Sequence, residues 1–160
     1  MNAHRHTLTP ALVLLMSVAT GLSVASNYYV QPLLNTVAQN FNLSVSMAGF
    51  IVTTAQLGYA CGLLLLVPLG DMLERRALIV GMSLLAAGGM VMTATSSSFT
   101  LLLLGTVLTG LFSVVAQILV PLAATLAPPE KRGKIVGTVM SGLLLGILLA
   151  RTVAGALAQL

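Results

Sequence analysis

Two stretches of this chain carry no charged side chain. From His6 to Gly70 there are 65 consecutive residues without Asp, Glu, Lys or Arg, and from Ala77 to Pro129 there are 53. A water-soluble domain covers its surface with charge, at about 25% of its residues, so neither stretch can form one. Disorder is excluded too, because it requires low hydrophobicity. Each stretch holds two bilayer crossings of about 20 residues and a short turn. With 58% hydrophobic and 6% charged residues, the chain reads as an all-α membrane protein of about five transmembrane helices. They form one helical bundle over residues 1–160, with the lipid bilayer as its first partner.

The spacing predicts spans at about residues 9–31, 47–69, 77–95, 100–126 and 135–157. The interruptions read QPLLNTVAQNFNLSVS, GDMLERR, TSSSF and APPEKRGK. No period-two alternation occurs and turns are too few for a barrel. The first span is too long for a signal peptide and lacks a cleavage pattern. Apart from Arg151, Lys and Arg are confined to alternate loops. Arg5 precedes span 1, Arg75 and Arg76 follow span 2, and Lys131, Arg132 and Lys134 follow span 4. The loops after spans 1 and 3 have none. By the positive-inside rule the N-terminus is cytoplasmic and the C-terminus, after five spans, is outside.

Composition excludes several function classes. Cys61 is the lone cysteine, and the two histidines, His4 and His6, lie in the polar N-terminal tail. No thiolate metal site, disulfide framework or acid–base constellation can be assembled in the membrane, so no cofactor, no metal and no enzyme are expected. The net charge of +4 sits in short loops, where it signals topology and offers no patch for nucleic acid.

A few polar residues interrupt the apolar spans. Arg151 is the only charge inside a span. It follows Lys134 by 17 residues, about 26 Å of helical rise, which places it in the outer half of the bilayer. It either snorkels to headgroups, or faces a cavity and binds an anionic group or pairs with an acid, which no other span of this chain supplies and which would come from further helices, the substrate or another chain. Asn27, Tyr28, Tyr29 and Gln31 cluster at the outer end of span 1, as an interfacial belt or with Asn27, Tyr28 and Gln31 lining a substrate path. Pro32 ends or kinks the helix there. Gln56 and Gln117 are isolated amides that need partners inside the bundle, as cavity lining or as interhelical hydrogen bonds. Gly142, Gly146, Ala150 and Ala154 form a small-residue face on span 5, as do Gly58 and Gly62 on span 2. Such faces let helices approach closely, within one bundle or between copies. Asn42-Leu43-Ser44 matches a glycosylation acceptor, but Ser44 or Ser46 is better read as the cap of span 2.

The segment Val67–Gly81, VPLGDMLERRALIVG, resembles the loop between the second and third helices of the major facilitator superfamily. The family pattern is Gly-x-Leu-x-Asp-Arg-x-Gly-Arg-Arg. Leu69, Asp71, Arg75 and Arg76 match it, while Val67, Met72 and Glu74 depart from it. PPEKRGKIVG (Pro128–Gly137) is similar to the family's loop between helices four and five. GLLLGILLARTVAG (Gly142–Gly155) is similar to the fifth helix of its efflux branches, and SNYYVQPLL (Ser26–Leu34) to the outer end of helix one in bacterial sugar- and drug-efflux-like members. In span 4, Thr106 and Thr109 stand where proton-coupled members carry Arg and Gln. The resemblance implies a bacterial inner-membrane transporter that moves a small molecule, a drug or sugar, by proton-driven efflux and alternating access. It gives Asp71, Arg75 and Arg76 a gating role. It also implies about twelve helices in two halves, so that the chain reads as part of an N-terminal half. The other half, or a second copy of this chain, would be its partner. On that reading the chain alone carries no solute. The competing reading is a membrane fragment or interaction protein without transport.

Overall fold

The structure is a computed structural model that describes residues 8–159. Arg5 and both histidines lie outside the described residues. The described chain is helical, with five helical stretches long and apolar enough to cross a membrane: Pro10–Asn40, Val45–Met72, Arg75–Ala94, Phe99–Leu126 and Pro129–Leu157. Their number is the five that the sequence predicts, and two of them differ internally.

The first stretch outruns its predicted end at residue 31. Helix α1 (Pro10–Tyr28) gives way to a 3-10 turn at Gln31–Leu33, and α2 (Leu34–Asn40) follows where a loop is expected. Thr9 caps α1 by accepting from the Leu12 N–H at 3.3 Å, ahead of Pro10 in the first turn. Pro32 has no N–H to give, so the regular ladder fails and the tighter turn takes over. Past the end of α2, Asn42 adopts φ 50°. Leu43 N–H then reaches the Ala38 carbonyl at 2.8 Å and Asn42 N–H the Gln39 carbonyl at 3.3 Å. This pair of bonds closes the helix C-terminus, and Asn tolerates the left-handed position it needs. Ser44 then caps α3 (Val45–Leu65) by accepting from Met47 N–H at 3.3 Å.

The second difference is in the fourth stretch, predicted as unbroken. It divides into α6 (Phe99–Phe112) and α7 (Val115–Leu126) around Ser113 and Val114. At the break Gln117 N–H bonds to Val114 at 3.0 Å, which takes it off the Ser113 carbonyl. That carbonyl accepts from the Ser23 hydroxyl of α1 at 2.8 Å. A polar backbone atom freed inside an apolar bundle is thus satisfied by a neighbouring helix, as the absence of water requires.

The remaining elements are α4 (Leu69–Met72), α5 (Arg75–Ala94), a 3-10 turn at Pro129–Lys131 and α8 (Arg132–Leu157). Helix α6 lies between α3 and α5, and α1 packs along α8 and touches α7. The main core gathers Met16, Met82, Val114, Val115, Ile118, Leu119, Ala123 and Val139. The close crossings are made by glycines. A Cβ on Gly142 or Gly146 would run into the α1 backbone at Ser17 or Gly21, and one on Gly89 would sit 2.7 Å from Thr109. The small face of span 5 therefore packs within the bundle. Short connections between successive spans put Asp71–Arg76 and Glu130–Lys134 at one end of the bundle, and Gln31 and Asn42 at the other.

Candidate functional site

The charged end is built on a tight corner. Helix α4 stops after one turn, Leu73 is extended, and α5 starts at Arg75. The corner brings the Arg75 side chain back over α4. Its Nε donates to the Gly70 carbonyl at 3.1 Å and its Nη2 to Asp71 Oδ1 at 3.4 Å. The Asp71 side chain is 84% exposed and that of Arg75 39%, so the ion pair is solvated and weak. Arg76 is exposed and makes no hydrogen bond or ion pair among the described residues. Beside the pair is a cavity of about 130 Å³ that Gln117 and Pro121 of α7 also line. Gln117 Nε2 donates to the Tyr59 hydroxyl of α3 at 3.0 Å. The structure thus brings Gln117, which the sequence singled out on its own, beside the Asp71–Arg75 pair of the signature loop.

At the opposite end it gathers three more. Arg151 of α8 donates from Nη2 to Gln31 Oε1 at 2.6 Å. Its guanidinium carbon lies 5.6 Å from the centre of the Tyr28 ring, within cation–π range. Gln31 reaches α8 because the chain turns out of α1 at Pro32. Gly155 keeps α8 close enough for its Cβ position to sit 3.9 Å from that proline.

Two sequence candidates fall outside both clusters. Asn27 clusters with Tyr28 and Gln31 in the sequence, but it is 6% exposed and turns inward, toward Ser26, Ala55, Thr106 and Thr109. One residue along a helix is a rotation of about 100°, enough to separate neighbours. Gln56 is exposed on α3 and has no hydrogen-bond partner among the described residues. Nothing in the described residues meets the need expected of it.

Residues 16–160 match the Major Facilitator Superfamily. The chain belongs to that superfamily. It is 75% identical over 160 residues to "Uncharacterized transporter YgaY" of Escherichia coli O157:H7, covering 100% of this chain and 41% of that protein. It is 38% identical over 145 residues to "Probable transporter SCO4007" of Streptomyces coelicolor, with 91% of this chain and 34% of that protein covered. "Uncharacterized MFS-type transporter YfhI" of Bacillus subtilis is 25% identical over 146 residues, with 86% and 35% covered. The chain thus spans between 34% and 41% of the length of these relatives. No solved structure matches it. The superfamily is one of membrane transporters, and the fold is a partial one of that kind.

Within this superfamily chain, Thr106 and Thr109 are buried, and their hydroxyls donate to Leu102 and Gly105 carbonyls of the same helix at 2.8 and 2.9 Å. No titratable group occupies either position. Sequence reasoning missed Tyr59 as the partner of Gln117, and Ser23 as the partner of the span 4 break. Neither pairing has a local signal, since 58 and 90 residues separate the partners. A cavity of about 610 Å³ between α2, α5 and α6 is lined by Tyr29, Phe41, Met90 and Thr93 among others, and by none of the path residues expected from the sequence.

Proposed function

We propose that this bundle forms one wall of a pathway by which a small molecule leaves a bacterial cell across the inner membrane, by alternating access. A second helical body supplies the other wall, from the rest of a longer transporter or from another copy. The observation that carries the reading is the placement of the polar side chains. Apart from Asn27, Gln56 and the Ser and Thr hydroxyls within the bundle, they form two clusters, one at each end: Asp71, Arg75, Gln117 and Tyr59 at the charged end, Tyr28, Gln31 and Arg151 at the other. A bundle that only packs in lipid has no need of them. Alternating access needs a gate at each end of a midplane site. The exposed Asp71–Arg75 pair suits such a gate, because a solvated ion pair is exchanged for another at little cost. Arg76 lies beside it as a further cation. Gln56, exposed on α3, supplies another polar group toward the pathway, while Asn27 supports α1 from inside. The six-to-none division of loop Lys and Arg supports a cytoplasmic N-terminus, which puts the Asp71 gate on the cytoplasmic face.

The test joins this chain to the remaining part of the Escherichia coli relative and measures solute movement in vesicles with a panel of dyes, drugs and sugars. Saturable flux that falls at least tenfold in Asp71→Asn is expected. Absence of flux for the whole panel removes the transport reading, and flux unchanged by Asp71→Asn removes the gate.

A further inference from the structure

We infer that Arg151 is the recognition point for an anionic group, a carboxylate or phosphate, on the molecule that crosses; this rests on the transport reading above. The three acidic residues of the chain, Asp71, Glu74 and Glu130, all stand in the loops at the far end of the bundle. Arg151 is held only by neutral groups, the Gln31 amide oxygen at 2.6 Å and the Tyr28 ring face at 5.6 Å. Neutral partners orient a cation without cancelling its charge. Arginine cannot escape by losing its proton, and it has five N–H donors in a planar fork. Gln31 accepts from one nitrogen, and among the described residues no other acceptor takes the rest. The side chain is exposed. What results is a pre-oriented cation with an open donor edge, in a medium where opposite charge is scarce. That edge matches the two oxygens of a carboxylate or phosphate.

Lipid headgroups offer the same phosphate chemistry, so the experiment separates the two sources. The full chain, labelled with 15N at arginine, is placed in nanodiscs of zwitterionic phosphatidylcholine. The Arg151 Nε–H signal, assigned by its loss in Arg151→Gln, is followed during titration with benzoate, phenyl phosphate and uncharged benzamide. A saturable shift with both anions and none with benzamide is expected. Gln31→Leu, which frees the guanidinium from its orienting bond, weakens benzoate binding about fivefold, the equivalent of one ordinary hydrogen bond. Arg151→Lys keeps the charge without the fork and retains part of the affinity, read from protection of the Tyr28 ring signals. Equal responses to benzoate and benzamide, or no response, overturn the inference. So does a signal that follows the fraction of phosphatidylglycerol in the disc and ignores benzoate, because that marks a lipid anchor. Failure of the transport reading shows elsewhere, as absent flux in the joined protein. If that protein moves solutes while this titration is blank, only the anion assignment falls.

Discussion

Arg75 and Arg151 are the same residue type with opposite circumstances. Arg75 has a carboxylate, a backbone carbonyl and water, so its contribution to stability is small. Asp71→Asn is therefore expected to change the unfolding free energy of this chain by no more than about 1 kcal/mol, measured by denaturation in mild detergent, even where it abolishes flux in a longer protein. A larger loss would mean the corner depends on the pair. Tyr59→Phe tests the other hydrogen bond at that end. It removes the acceptor for the exposed Gln117 amide, and the expected loss is about 0.6 kcal/mol, at most about 1.7. The bond is legible in neither sequence neighbourhood, because Tyr59 and Gln117 belong to different spans.

At the scale of helices, the same substitution gives opposite signs at two positions of α8. Gly137 has open space where a Cβ would go, whereas a Cβ on Gly146 would enter the Gly21 backbone. Gly137→Ala is expected to stabilise by up to about 1 kcal/mol, from helix propensity alone. Gly146→Ala is expected to destabilise by about 1–3 kcal/mol through overpacking, and to loosen α1 from α8, read as increased proteolysis between them. Equal effects at the two glycines would refute the crossing. The turn after α2 makes a similar comparison. Asn42 sits at φ 50°, so Asn42→Gly is expected to be neutral, while Asn42→Val costs about 1–2 kcal/mol through its Cβ, seen as loss of helicity and thermal stability. The small-residue periodicity of span 5 was visible in the sequence, but the identity of its partner helix was not. Gly142 and Gly146 fit any close-packed surface, and only the fold selects Ser17 and Gly21.

Across the whole molecule, odd and even loops should lie on opposite faces of the membrane. With Cys61 replaced by Ala, a cysteine at Ser97 is expected to react with a membrane-impermeant thiol reagent added to intact spheroplasts. A cysteine at Glu130 should react only in inverted vesicles. The reverse pattern would invert the assigned orientation and move the Asp71 pair to the outer face. Among the described residues span 4 is buried far more deeply than span 5, although their compositions are alike. Hydropathy cannot rank them, because lipid and protein interior are equally apolar as surroundings for a leucine.

The sequence alone determined that the chain is helical, has five stretches fit to cross a membrane and keeps its charge, Arg151 aside, at alternate loops. Each of these follows from local cost: an uncharged run of 65 or 53 residues has no stable place in water, and a backbone in lipid must bond to itself. It also put an end or kink of the first helix near Pro32 and a cap at Ser44 or Ser46, of which the fold uses Ser44, since a missing N–H and a capping hydroxyl act within one turn. Tertiary structure alone decided which polar residues meet. Asn27 and Tyr28 are adjacent in the chain, yet one is buried against α3 and α6 and the other faces Arg151. Gln31 and Arg151 are 120 residues apart and touch. Helix rotation and the break at Pro32 set those directions, and both depend on how α1 packs on its neighbours. The continuation of α2 through Asn40 and the break at Ser113 likewise needed contacts from elsewhere, the Ser23 hydroxyl among them.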